Sequence, residues 1–142
     1  MTHFPLFLNL RGRRVLLVGC GKVGRRKLAK LLAAGAAVTA VDPVADPSAD
    51  VDWLMDEFRE AQLGGMELAF ACAAPEVNRR VVAECRRRGI WVNAASEPET
   101  GDFILPAVFE FDGLQIAVST GGADPARARD VKEKMERFFK GE

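Results

Sequence analysis

The sequence has little from which a metal centre or a disulfide framework could be built. His3 is the only histidine, so a dedicated zinc site is not expected. The three cysteines, Cys20, Cys72 and Cys85, are odd in number and lack C-x-x-C spacing, which favours reduced thiols over a set of disulfides. We therefore expect a cytoplasmic protein without a resident metal.

Long hydrophobic runs and an excess of charge of one sign are also missing. The apolar stretch near the N-terminus is broken by Pro5 and is too short for a signal peptide or a membrane span. The 20 basic residues balance 20 acidic ones, so the net charge predicts neither nucleic acid nor an anionic membrane as a partner. With 142 residues and no repeat or flexible linker, the chain is long enough for one substantial core.

Apolar runs alternate with helical patterns over the first two thirds of the chain. The predicted strands are 15–18, 36–42, 66–74 and 90–94, and the predicted helices are 22–34 and 75–88. Short apolar strands separated by helices favour parallel pairing with right-handed crossovers. The sequence therefore predicts an α/β fold, a Rossmann-like doubly wound parallel sheet. Segment 51–63 is ambiguous and fits a short strand followed by a helical turn.

The last third of the chain has a different pattern. Two strand-like segments, 102–111 and 114–120, are joined by Asp112 and Gly113, a strong signal for a type I′ hairpin. We expect the sheet to finish antiparallel, followed by a terminal helix over 125–140. Phe138 and Phe139, near the end of that helix, predict packing against another subunit or against segments outside this chain.

The segment VLLVGCGKVG places three glycines in G-x-G-x-x-G spacing between a strand and a helix. Gly19 would permit the tight turn, Gly21 the close approach of a pyrophosphate, and Gly24 close packing of helix on strand. The backbone N–H groups of Lys22 and Val23, at the start of the helix, would bind the phosphates. This pattern predicts a dinucleotide site. The alternative is that the glycines serve only a tight strand-to-helix turn and that Asp42 merely caps it.

Asp42 follows the second strand, 18 residues after Gly24. A carboxylate there accepts hydrogen bonds from the adenosine ribose hydroxyls and repels a 2′-phosphate, so the sequence favours NAD over NADP. Cys20, inside the turn, has two interpretations. It is either a redox-active thiol at a helix N-terminus or, as we prefer, a small residue where bulk is excluded.

Three motifs, in this order, resemble the precorrin-2 dehydrogenase family, the NAD-dependent module of siroheme synthases. They are the N-terminal FPLFLNLRGRRVLLVGCGKVGRRKLAK with its basic residue Lys27, then VNAASEPETGDFILPA, then LQIAVSTGGADPARARD. The resemblance implies a homodimer that oxidises precorrin-2 to sirohydrochlorin with NAD⁺, and some members also insert Fe²⁺. It implies an NAD-binding domain over 1–105 and a dimerisation and substrate region over 106–142. Because members usually continue further, the chain is either a minimal member or a fragment.

The second motif would lie outside the carboxyl ends of the strands, so the nicotinamide would approach Asn93 and the residues after it. The family has an acidic pair here and assigns catalytic importance to its first member, which in this chain is Ser96. A serine hydroxyl cannot act as a general base unaided. Three replacements are open: Glu97, which we rank first, then Asp102, or loss of the proton to water. The alternative for these carboxylates is structural, with Glu97 and Glu99 solvated in the turn and Asp102 capping the loop before the hairpin. The missing carboxylate weakens the expectation of metal insertion more than the expectation of oxidation, so the sequence favours dehydrogenase activity over ferrochelatase activity.

The third motif offers groups for the carboxylates of a tetrapyrrole. Its S-T-G-G segment precedes a helix start, where backbone N–H groups such as that of Gly121 suit an acetate or propionate. Thr120 aligns with a family serine of the substrate region. Arg127 or Arg129, in the first turns of the helix, would pair with a substrate carboxylate.

Two further functions remain open on the sequence. The loss of the acidic residue at Ser96 fits a non-catalytic NAD-binding module that senses redox state. A different small NAD-dependent dehydrogenase would share the glycine turn and Asp42, and its likeness to the third motif would be accidental.

Overall fold

The computed structural model describes residues 2–44 and 51–142, within which a five-stranded parallel sheet forms the larger body. Its strand order is β3-β2-β1-β4-β5, the order of a Rossmann-like sheet, as predicted. Two helices and a short 3-10 turn, Glu60–Leu63, connect strands of this sheet, and a second 3-10 turn, Pro98–Thr100, follows its last strand. The strands are β1 (Arg14–Val18), β2 (Ala37–Val41), β3 (Asp52–Leu54), β4 (Leu68–Ala71) and β5 (Trp91–Ala94), and the helices are α1 (Lys22–Ala33) and α2 (Pro75–Arg88).

Both faces of this sheet are buried, because alternate residues of each strand point to opposite faces. On β1, Val15 and Leu17 belong to the core that includes Leu28 and Leu31 of α1. Leu16 and Val18 belong to the second core, which includes buried residues of α2. This double coverage explains why the strands are continuous apolar runs rather than alternating ones. The ambiguous segment 51–63 forms β3 and a 3-10 turn, as its pattern indicated.

The C-terminal segment forms a hairpin of β6 (Ala107–Phe111) and β7 (Leu114–Val118), followed by α3 (Pro125–Phe139). Asp112 and Gly113 both have positive φ, 46° and 75°, which confirms the predicted type I′ turn. The expectation that the parallel sheet itself finishes antiparallel was wrong. The hairpin is a separate two-stranded sheet, and its apolar side packs on α3.

The described residues divide into two compact units. One unit is Leu6–Phe103, and the other contains Ile104–Glu142 with residues 2–5. In the second unit Phe139 packs on Phe109 and Phe111, with ring centroids 6.0 and 5.6 Å apart, while Phe138 is 80% exposed. The functions assigned to segments 1–105 and 106–142 stay predictions. None of the helices in the described residues has both the length and the apolar character needed to cross a bilayer.

The turn between β1 and α1 is packed at the limit of backbone contact. Gly19 has φ of 91°, and a Cβ there would lie 2.5 Å from the carbonyl oxygen of Cys72. A Cβ on Gly24 would lie 2.0 Å from the carbonyl oxygen of Gly19. Hydrogen in place of a side chain at these two positions therefore allows α1 to start directly against the ends of β1 and β4.

We predict that Gly24→Ala destabilises the fold, because the added methyl group meets rigid backbone. The free energy of unfolding, measured by urea titration with circular dichroism, should fall by about 3 kcal/mol or more. The control is Gly21→Ala, since a Cβ at Gly21 would meet no described atom within 4 Å beyond its own chain neighbours and its φ is −74°. That variant should stay within about 1 kcal/mol of the parent, and an equal loss in both variants would contradict the packing argument.

Candidate functional site

The strand order reverses between β1 and β4, which places a crevice at the carboxyl ends of these two strands. The chain is held closely there. The Cys72 N–H donates to the Val18 carbonyl at 2.7 Å, and the Gly19 N–H donates to the Val41 carbonyl at 2.8 Å. The glycine turn therefore lies at the point where an open α/β sheet usually binds its ligand.

The start of α1 provides donors that are suited to a phosphate group. Gly21 is the N-cap, and no side chain among the described residues caps the helix. No acidic residue stands in its first turn, where Lys22 and Val23 are exposed and Gly24 is buried. An uncapped N-terminus of a 12-residue helix, open at Gly21, fits a pyrophosphate, because free N–H groups and the helix dipole both attract an anion.

Asp42 lies beside this turn, as its spacing predicted. Its Oδ2 accepts a hydrogen bond from the Cys20 N–H at 2.7 Å, and its Oδ1 accepts one from the Val44 N–H at 2.9 Å. Asp42 thus also fastens the end of β2 to the glycine turn, which is the capping role that the sequence left open as the alternative. Each carboxylate oxygen keeps a lone pair after these bonds, so the group still fits two ribose hydroxyls.

Cys20 is buried beneath the turn, and its surroundings disfavour the thiolate. Burial and the nearby Asp42 carboxylate raise the pKa of this thiol to about 11. A redox interpretation needs the opposite shift, so the structure favours the interpretation of Cys20 as a small packing residue.

A polar cluster that the sequence did not identify as such lies at the carboxyl end of β5. The Lys27 Nζ, from α1, donates to Asn93 Oδ1 at 2.6 Å. The Asn93 Nδ2 donates to the carbonyl of Phe103 at 3.1 Å, and the residue is almost fully buried. Burial lowers the pKa of Lys27 from its ordinary value. The available signals were an asparagine inside a buried strand and Lys27 as the basic residue of the first motif, since α1 contains four other basic residues.

Ser96 is bonded to the start of α2. Its Oγ accepts a hydrogen bond from Asn78 Nδ2 at 2.9 Å. Asn78 is 2% exposed, and its Oδ1 accepts from the Ala73 N–H at 2.9 Å while its Nδ2 also donates to the Ala73 carbonyl at 3.0 Å. One buried amide therefore joins the loop after β4 to the loop after β5.

The two acidic candidates of the second motif each have a partner. The Glu97 carboxylate forms an ion pair with Arg79 of α2. Asp102 Oδ2 accepts from the Val92 N–H at 3.0 Å, and the Asp102 N–H donates to the Val92 carbonyl at 2.8 Å. Asp102 thus satisfies the backbone of β5, which is a structural function, whereas the Glu97 pair lies on the half-exposed side of the loop.

In the C-terminal unit, the S-T-G-G loop uses several of its own donors. Asp124 caps α3 by accepting from the Arg127 N–H at 2.9 Å, and its own N–H donates to Thr120 Oγ1 at 2.8 Å. The Gly121 N–H donates to Ser119 Oγ at 2.9 Å. The backbone N–H groups of Gly121 and Arg127 are therefore engaged within the loop, which leaves the Thr120 hydroxyl proton and the exposed Arg127 guanidinium as the groups for a ligand carboxylate.

Metal ligation has no evident site in the part of the chain that the structure describes. No group of three or more histidine, cysteine or acidic side chains lies there in a position to hold a metal ion.

We predict that Cys20 and Cys85 react slowly with thiol reagents in the folded protein at pH 8. Burial raises the pKa of Cys85 to about 12, beside about 11 for Cys20, so at pH 8 on the order of one thiol in a thousand or fewer is ionised. Labelling with iodoacetamide, read by mass spectrometry, should become fast only in urea. Gln115→Cys adds an exposed thiol as the positive control. Fast labelling of Cys20 in the folded protein would support its redox interpretation instead.

Comparisons with known proteins agree with this geometry. A family model described as "Putative NAD(P)-binding" matches residues 6–107. The chain is 39% identical to "Siroheme synthase 1" of Aeromonas salmonicida and 40% identical to "Siroheme synthase" of Chromobacterium violaceum, over 98% of its own length in both cases. It spans 31% of the length of each of these relatives.

A solved structure titled "SirC, precorrin-2 dehydrogenase" superposes with a TM-score of 0.77 and 27% identity, covering 96% of this chain and 71% of that one. The resemblance expected from the three motifs is therefore confirmed. The match over residues 6–107 includes the glycine turn, Asp42 and the loop after β5. The chain belongs to this family of NAD(P)-binding proteins.

Proposed function

We propose that this protein oxidises precorrin-2 to sirohydrochlorin in siroheme synthesis, with NAD⁺ as the hydride acceptor. The observation that carries the proposal is the fold match, over 96% of the chain, to a protein titled precorrin-2 dehydrogenase. Relatives named siroheme synthase align over 98% of the chain and support the same pathway. The open helix N-terminus beside Asp42 supports the use of a dinucleotide.

The cofactor is NAD rather than NADP in this proposal. Bound NAD⁺ supplies the acceptor for the hydride. The Lys22 and Val23 N–H groups bind the pyrophosphate, and Gly21 leaves room for it. The Asp42 carboxylate binds the adenosine ribose hydroxyls and disfavours a 2′-phosphate by charge repulsion.

Removal of two electrons as hydride leaves one proton that the substrate must lose. Glu97 is the proposed base. It comes directly after Ser96, the position where the family has its first carboxylate, and its ion pair with Arg79 orients the Glu97 carboxylate. Ser96 is held by Asn78 and orients this part of the loop. Asp102 is less suited, since it already bonds the Val92 N–H.

Thr120 and Arg127 are the proposed binding residues for a carboxylate of the substrate, whereas the Gly121 N–H, which the sequence also suggested, already donates to Ser119 Oγ. The Thr120 hydroxyl accepts from the Asp124 N–H and can still donate its own proton. The Arg127 side chain is exposed at the first turn of α3, where a guanidinium can bind a carboxylate through two hydrogen bonds.

A cytoplasmic homodimer is the proposed state of the protein. Phe138 and Leu114 in the C-terminal unit are 80% and 54% exposed, and covering such side chains with a second copy would remove apolar surface from water. A monomeric mass in light scattering would contradict the dimer.

The lack of an unpaired carboxylate among the three catalytic candidates of the loop after β5 favours a second candidate, a non-catalytic NAD-binding module. Ser96 lacks a carboxylate, Glu97 is paired with Arg79, and Asp102 bonds the backbone. Such a module would bind NAD but would not oxidise a tetrapyrrole.

Incubation with precorrin-2 and NAD⁺ separates the two candidates. We expect the absorbances of sirohydrochlorin and of NADH to rise together, with the two products formed in equal molar amounts. NAD binding without any turnover would overturn the dehydrogenase and support the non-catalytic module. Turnover with NADP⁺ but not with NAD⁺ would overturn the assignment of Asp42.

In the same assay, Glu97→Gln should lower kcat about 100-fold, because a positioned base contributes about that much. Glu99→Gln, which changes an exposed carboxylate in the same loop, is the control and should leave kcat unchanged. Ser96→Asp restores the carboxylate that the family has and should raise kcat. An unchanged rate in Glu97→Gln would remove Glu97 as the base and leave Asp102 or loss of the proton to water.

A further inference from the structure

Asn93 is a polar residue in a place where its neighbours are apolar. On β5, Val92 and Ala94 belong to the core on the α2 side of the sheet. Because strand residues alternate, the Asn93 side chain points to the α1 side, next to Phe70, its partner on β4. A buried amide in such a place is costly unless it is hydrogen-bonded, so its partners indicate why it is there.

Lys27 is the partner that reaches Asn93, and it does so from a different element. Its side chain extends from the second turn of α1 past the end of β4, where it also interacts with Cys72, to β5. Burial is the largest cause of its lowered pKa, and the neighbouring cations Lys30 and Arg26 act in the same direction. Within the described residues, the hydrogen-bond acceptor of this ammonium at 2.6 Å is a neutral amide rather than a carboxylate.

This arrangement fixes the orientation of the Asn93 amide. An ammonium has only donors, so it selects the Asn93 oxygen, and the Phe103 carbonyl, as an acceptor, selects the nitrogen. The amide therefore cannot flip without losing both bonds. It also links α1, β5 and the end of the loop that contains Ser96.

The location of this cluster relates it to one end of the dinucleotide. Asp42 at the end of β2 binds the adenosine ribose in the proposed function, and the start of α1 after β1 binds the pyrophosphate. The nicotinamide end then extends over β4 and β5, the strands on the other side of the switch point. Asn93 and Lys27 lie there.

We propose that Lys27 is a positioning residue for the nicotinamide end of the cofactor, acting through Asn93. The inference rests on the proposed NAD site. In this proposal α1 has two roles. Its first residues bind the pyrophosphate, and its second turn holds β5 in place through the bond between Lys27 and Asn93.

The test compares two nucleotides, NADH and ADP-ribose, which share the adenosine and pyrophosphate but differ in the nicotinamide. Lys27→Met keeps the length and apolar stem of the side chain. It should raise the Kd for NADH about tenfold, since a hydrogen bond to a charged group is lost. The Kd for ADP-ribose should stay within about twofold. Both are measured by isothermal titration calorimetry, which needs no precorrin-2.

Two further variants keep the test specific. Lys30→Met removes an exposed lysine of the same helix and should change neither Kd. Asn93→Ala should weaken NADH binding as Lys27→Met does, and the double variant should lose no more than the larger single loss, because both act through one interaction. Lys27→Met should still unfold in one cooperative urea transition that begins well above zero urea, because the Asn93 Nδ2 keeps its bond to the Phe103 carbonyl, so both Kd values refer to the folded protein.

Equal weakening of NADH and ADP-ribose in Lys27→Met would overturn the inference, because it would show an effect on the phosphate turn or on the fold. Unchanged binding of both would overturn it as well. Absence of precorrin-2 turnover in the parent, together with selective loss of NADH affinity in Lys27→Met, would overturn the proposed dehydrogenase and leave the positioning role intact. The two proposals therefore fail on different measurements.

Discussion

The unit Leu6–Phe103 depends on two close backbone contacts, that of Gly24 with the carbonyl of Gly19 and that of Gly19 with the carbonyl of Cys72. Hydrogen atoms at these positions let α1 start at the ends of β1 and β4 instead of above them. The position of the helix start then determines where the other polar groups at this edge of the sheet lie. The free N–H groups of the first turn face the crevice region, Cys20 lies where Asp42 bonds its N–H, and the second turn brings Lys27 to Asn93.

Two buried amides hold the elements around the glycine turn together. Asn93 joins β5 to α1 through Lys27, and Asn78 joins the loop after β4 to Ser96. In each amide both the nitrogen and the oxygen are hydrogen-bonded, and no buried side-chain nitrogen or oxygen in the described residues lacks a partner. Satisfied polar networks of this kind specify one arrangement of the loops, because any other would leave a polar group unpaired in the interior.

Local patterns were sufficient to predict most of the fold. Continuous apolar runs gave the parallel strands, Pro75 and Pro125 marked helix starts, and Asp112 with Gly113 gave the hairpin, because each signal acts over a few residues. The separate sheet of the hairpin was missed, since strand partners far apart in sequence leave no local signal. The spacing of Asp42 predicted its place beside the turn, because the glycine pattern defines that distance along the chain. The hydrogen-bond partners of Asn93, Ser96 and Asp102 leave no such local pattern and came only from the structure.

The bond between Asn78 and Ser96 has a consequence for how this loop tolerates change. The Asn78 nitrogen is a donor, and a donor is satisfied equally by a hydroxyl or by a carboxylate oxygen. Position 96 can therefore exchange an acid for an alcohol while the loop keeps its path. The path of this loop therefore depends on an oxygen at position 96 and not on the charge that the oxygen carries.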